Sequence, residues 1–141
     1  MLGGVEITLS HLTTDLVNEP NRFVSALFLH FNTDPTGFSF VGDPYVDSIS
    51  VGNLTDAGLP FNVKVDFKNV PASRLKQGDS ATFQLFGVSE SNFVGSNTSA
   101  MVHFQALIGG DSSKVVAPEP ASLAALGIGL VGLAGRLRRK R

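Results

Sequence analysis

The chain has 141 residues, of which only 16% are charged, well below the ~25% of an ordinary soluble domain, so the composition favours an all-β body, a membrane segment, or both. Residues 1–120 hold six Lys/Arg against twelve Asp/Glu, and this acidic balance argues against nucleic-acid binding, which needs a basic surface. The absence of cysteine excludes disulfides, cysteine-ligated zinc, iron–sulfur clusters and thiol nucleophiles.

Short β-like runs alternate with turn signals through the first 108 residues. Residues 5–9 alternate apolar and polar side chains, as in a half-buried strand, whereas residues 22–31 are apolar on both parities and fit a central strand. Shorter runs follow at 38–40, 49–51, 61–67, 81–85 and 100–108. The core positions predicted from period two are Phe61, Val63, Val65, Phe67, Phe83 and Leu85. About seven short strands with no long 3.6-period segment predict an antiparallel β-sandwich.

The body shows no spacing typical of a catalytic or metal site. Its histidines are His11, His30 and His103, and they lack the His-x-His or His-Glu-x-x-His spacing of zinc sites. Its loop carboxylates include Asp34, Asp43, Asp47 and Asp56. They lack the calcium-loop pattern, and Asp beside Pro or Gly is ordinary turn chemistry. We therefore predict no enzymatic activity, no cofactor and no bound metal.

The composition changes after residue 108. Residues 109–113 read Gly-Gly-Asp-Ser-Ser, and this Gly/Ser-rich stretch predicts a flexible spacer over 109–117. The spacer separates a predicted body, 1–108, from a C-terminal segment, 118–141.

The C-terminal segment begins with Pro118, Glu119 and Pro120 and continues as fifteen uncharged residues. Pro120 lacks an N–H and suits the first position of a helix, while Glu119 places a carboxylate at the positive end of the helix dipole. Such a run makes a helix about 22 Å long, short of the ~30 Å hydrocarbon core, so we predict a thin transmembrane helix. Its predicted membrane-embedded residues are Ala121, Leu123, Leu126, Ile128, Leu130, Val131 and Leu133.

A basic cluster follows the apolar run and is predicted to act as a stop signal. Its residues are Arg136, Arg138, Arg139, Lys140 and Arg141. By the positive-inside rule the cluster stays in the cytoplasm and the acidic body faces outward. Physical reasoning leaves two interpretations of Pro-Glu-Pro open: an exposed recognition element, or a rigid joint in an ordinary membrane anchor.

The three parts of this segment, in this order, closely resemble the PEP-CTERM sorting signal. The resemblance rests on residues 116–124 (Val-Ala-Pro-Glu-Pro-Ala-Ser-Leu-Ala), the Gly-rich apolar run and the basic cluster. It implies export in Gram-negative, exopolysaccharide-producing bacteria and cleavage near Pro-Glu-Pro by an exosortase, an integral-membrane enzyme. The same tail is also called an ice-binding protein C-terminal domain, but that name implies no ice-binding activity here.

These observations predict an exported β-sandwich protein with a non-enzymatic structural role, anchored in the membrane before processing and then at the cell surface or in the extracellular matrix. The alternative is a module that binds exopolysaccharide or another carbohydrate. Carbohydrate-binding modules usually stack sugars on exposed Trp or Tyr rings. The body contains no Trp and a single tyrosine, Tyr45, which favours the structural role. Met1 is not followed by a basic n-region and an apolar run, so we expect that a signal peptide was lost, either because the true start lies upstream or because the chain is a remnant or fragment. The alternative is a tail-anchored protein that never crosses the membrane.

Overall fold

The computed structural model describes residues 3–12, 21–96, 98–106 and 112–116. Within these ranges the chain forms β-strands joined by turns and two short 3₁₀ segments. The strands are β1 (Gly4–Ser10), β2 (Phe23–Leu29), β3 (Gly37–Ser39), β4 (Val46–Asp56), β5 (Leu59–Phe67), β6 (Leu75–Lys76), β7 (Ser80–Phe86), β8 (Ala100–Gln105) and β9 (Ser113–Val116). The antiparallel β body expected from the short alternating runs is thus confirmed.

The strands form two antiparallel sheets. The smaller sheet has the order β1-β7-β3, and the larger has the order β4-β5-β2-β8-β9. Strand β6 pairs with Phe23 and Val24 at the start of β2. The run that is apolar on both parities, β2, lies between β5 and β8, as expected of a strand covered on both faces.

The inner faces of the two sheets share one hydrophobic core. Val63 and Val65 of the larger sheet and Phe83 and Leu85 of the smaller sheet belong to the same buried cluster. Because side chains alternate along a strand, the intervening Lys64 lies on the opposite face of the larger sheet. The predicted register of β5 is confirmed.

A second, smaller cluster lies on the outer face of the larger sheet. Phe61 is buried there with Ala26, Phe28 and Met101, so it is a core residue but not part of the main core. The pairing of β4 with β5 shifts between Val51 and Leu54, which marks a bulge opposite this end of β5.

The predicted flexible spacer is wrong at residues 113–116, which form strand β9. β9 pairs with β8 from Ser113 opposite Phe104 to Val116 opposite Met101. The β-branched Val115 and Val116 favour a strand, and pairing with β8 satisfies their backbone groups. Residues 107–111 and 117 of the boundary region lie outside the described ranges.

Candidate functional site

The predicted sorting and membrane residues lie outside the described part of the chain, which ends at Val116. These are Pro118, Glu119 and Pro120, the apolar residues from Ala121 to Leu133, and the basic residues from Arg136 to Arg141. Among the residues that the structure describes, no helix is long and apolar enough to cross a membrane. What the structure does show is how the body holds the chain immediately before Pro118.

Strand β9 is held to the body by more than its pairing with β8. Val116 packs against the second cluster, as do Leu54 and Leu59 of the β4–β5 hairpin. On the same face of β9, Lys114 Nζ forms an ion pair with Asp56 Oδ1 at the end of β4. We call this set of five side chains the seam. It joins the two edge strands of the larger sheet across its outer face.

A groove of about 340 Å³ runs along the outer face beside the seam. It is lined by Ser25, Ala26, Phe28, Asp56, Lys64, Asp66, His103, Gln105 and Lys114. Lys64 Nζ lies 3.0 Å from Asp66 Oδ1 and 5.6 Å from the centroid of the Phe28 ring. The groove therefore combines carboxylates, amines and an apolar floor in one concave surface.

The environment of His103 favours the neutral form of its imidazole. Burial, followed by the positive charge of Lys114, lowers the pKa of His103 below its usual value of 6.5, and Lys64 acts in the same direction. Asp56 opposes these effects. A neutral imidazole can both donate and accept a hydrogen bond, as the amide of Gln105 also can.

The remaining histidines do not line the groove. His11 is buried and meets the Phe104 ring edge to face, with the ring centroids 5.5 Å apart. Burial, followed by the charge of Arg22, lowers the pKa of His11. The backbone of His30 bonds to Ser99 and Val94. In the described ranges no three metal-ligating side chains converge.

The candidate carboxylates are spread over the body and engaged separately. Asp34 accepts a hydrogen bond from Asn62, and Asp43 accepts three from backbone N–H groups. Asp47 is exposed, and Asp56 belongs to the seam. The structure does not bring them together into one site.

Sequence reasoning missed the seam and the groove. The groove side chains come from five strands, so no contiguous motif marks them. One local signal was present: Lys-Val-Val at 114–116 is a strand-like run inside an otherwise Gly/Ser-rich stretch.

Comparison with protein families identifies the segment that begins at the last residue of β9. The family described as the PEP-CTERM protein-sorting motif matches residues 116–140, which are 25 of the 141 residues. No curated protein and no solved structure matched the chain. The match begins at Val116, the residue at which β9 ends. The chain therefore carries the PEP-CTERM protein-sorting motif, which indicates export to the cell envelope or surface.

Proposed function

We propose that this chain is an exported cell-envelope protein, that an exosortase cuts it near Pro118–Ala121, and that its β body then has a non-enzymatic structural role at the cell surface or in the extracellular matrix. The match to the sorting motif over residues 116–140 carries this proposal. The matched region begins at Val116, the final residue of β9, so a cut near Pro118–Ala121 keeps all the strands that the structure describes on the released side.

The charge distribution supports the proposed orientation. Residues 1–120 carry a net charge of −6, whereas residues 136–141 carry five positive charges. Basic residues beside an apolar segment stay on the cytoplasmic side, so the acidic body faces outward. The apolar run is short for a permanent span, which suits a transient anchor.

The polar contacts of the body support a structural role, because they stabilise the fold. Asp43 binds backbone N–H groups of both its own turn and β7. Asn62 binds the backbone N–H and carbonyl of Phe31. Side chains with these partners contribute to a rigid module.

Replacing Pro118, Glu119 and Pro120 with alanine tests the sorting proposal. The chain, fused to a Sec signal peptide, is expressed in a host with an exosortase, and the envelope and surface fractions are compared by immunoblot. The variant should insert into the membrane, because the apolar run is unchanged, but should stay unprocessed. In a host lacking the exosortase, the wild-type chain should behave in the same way. Equal processing of variant and wild type would contradict the proposal.

A second candidate role for the body is binding of a carbohydrate, including exopolysaccharide, and the groove favours it. Carboxylates, amines and the Gln105 amide there can bond to sugar hydroxyls, and a cavity of about 340 Å³ lies within the size range of small-ligand sites. Titration calorimetry with the host exopolysaccharide tests this role. Asp66→Ala and Gln105→Ala should abolish the heat of binding, whereas Asp47→Ala, on an exposed site outside the groove, should not. Absence of binding by the wild-type chain would exclude this role.

A further inference from the structure

Val116 belongs both to the body and to the sorting motif. It is the last residue of β9, where it lies opposite Met101, and the first residue of the matched region. In the sequence, one residue separates Val116 from Pro118. The body therefore sits close to the chain that the exosortase must bind.

Docking of β9 and binding of the same residues by a processing enzyme exclude each other. Extended substrates are commonly recognised by adding a strand to the edge of the enzyme, through their backbone N–H and C=O groups. In β9 the backbone of residues 113–116 pairs with β8, and the side chains of Lys114 and Val116 are engaged at the seam. Residues just before Pro118 become available only when β9 leaves β8.

The contacts of β9 suit a strand that opens without unfolding the body. It has four residues and lies at the edge of the larger sheet. Val115 is 47% exposed, and the ion pair of Lys114 with Asp56 is partly exposed, so it contributes little stability. Short edge segments with few buried contacts open at a low free-energy cost compared with global unfolding.

We propose that docking of β9 on β8 limits the rate at which the sorting motif is processed. The docked strand is an autoinhibitory contact, and the exosortase acts on the population in which residues 113–116 have left the sheet. This inference rests on the proposed function, because it concerns the regulation of the same cleavage.

A reversible covalent lock tests the proposal. Val102 of β8 and Val115 of β9 are directly opposite each other, a placement that a disulfide can bridge, and the chain has no other cysteine. In the full chain fused to a signal peptide, Val102→Cys/Val115→Cys should form a bond in the oxidising envelope. Pulse-chase labelling should then show processing at least about tenfold slower than in each single-cysteine variant. A thiol reductant should restore the rate.

A loosened seam should have the opposite effect. Leu59→Ala removes apolar contact with the second cluster without changing the sorting motif, and should speed processing about three- to tenfold. Hydrogen exchange at residues 113–116 should rise in parallel. Val41→Ala, at a position 97% exposed in a turn away from the seam, is the control and should change neither.

The outcomes separate this inference from the proposed function. A locked chain processed as fast as the single-cysteine variants would overturn the inference, as would failure of the two cysteines to bond, which would contradict the β8–β9 register. If the Pro118/Glu119/Pro120 alanine variant is processed like the wild type, the proposed function fails instead.

Discussion

Replacing Asn62 should destabilise the body strongly, although its position in the sequence looks like a solvent-facing site. The side chain is only 8% exposed. Its Oδ1 accepts a hydrogen bond from the Phe31 N–H at 2.8 Å, and its Nδ2 donates to the Phe31 carbonyl at 2.9 Å. Nδ2 also lies within hydrogen-bonding distance of the Thr33 carbonyl and of Asp34 Oδ1. The Asn62 side chain thus makes the two backbone hydrogen bonds with Phe31 that a neighbouring strand would otherwise make.

The magnitude follows from what Asn62→Ala leaves behind. The N–H of Phe31, a residue 3% exposed, loses its acceptor. A buried donor without a partner costs about 1–3 kcal/mol, and each further bond that is lost costs about 0.5–1.5 kcal/mol. We expect the free energy of unfolding to fall by about 2–4 kcal/mol. Asn62→Asp should also destabilise at neutral pH, because its carboxylate would face the Phe31 carbonyl and Asp34.

Equilibrium urea unfolding followed by far-UV circular dichroism measures this effect. Asn53→Ala, at an exposed position of β4, is the matched control and should change the free energy of unfolding by less than about 0.5 kcal/mol. The urea dependence should remain the same in all variants. If Asn62→Ala were no more destabilising than Asn53→Ala, the assigned role of Asn62 would be refuted.

Two other side chains give further tests by the same unfolding measurement. Asp43→Ala should lower the free energy of unfolding by about 2–4 kcal/mol, because three backbone N–H groups, including that of Thr82 at 2.7 Å, lose a charged acceptor; Asp43→Asn should lose less. His103 has a lowered pKa, caused by burial and Lys114, so the unfolded chain binds the proton more readily and stability should fall as pH drops below about 6.5. His103→Gln should reduce this pH dependence, and an unchanged profile would contradict the assignment.

Alternation of apolar and polar residues predicted the strands in which apolar side chains face the core and polar side chains face away from it. In β5 the apolar Val63 and Val65 point into the core and Lys64 points away, so period two was sufficient. Asn62 broke the rule because its partners, around Phe31, are distant in the sequence. Phe61 is buried as its parity predicts, but it packs in the second cluster with Phe28 and Met101 and not in the main core.

Composition misled the prediction at β9. Gly and Ser around residues 109–113 indicate a flexible chain, yet residues 113–116 pair with β8 because that edge leaves its N–H and C=O groups open. A strand that is stabilised mainly by its neighbour shows only a weak strand pattern in its own sequence. The same reason hides the ion pair between Lys114 and Asp56, which are 58 positions apart in the chain.

The two candidate sites also differ in how far the sequence alone reveals them. The sorting motif is contiguous, so its resemblance to a known signal could be recognised from sequence, and the family match over residues 116–140 confirmed that resemblance. The groove is assembled from five strands and depends on how the sheet brings Asp56 to Lys114 and places His103 beside Lys64. No spacing rule in one sequence contains that information.

The intact mass of the chain recovered from the surface fraction shows directly whether the sorting motif is cut. If the motif is processed as proposed, the surface form ends between Pro118 and Ala121, retains β9 and lacks Arg136–Arg141. A surface form that still carries Arg136–Arg141 would show that the tail is an ordinary anchor and that the motif is not processed.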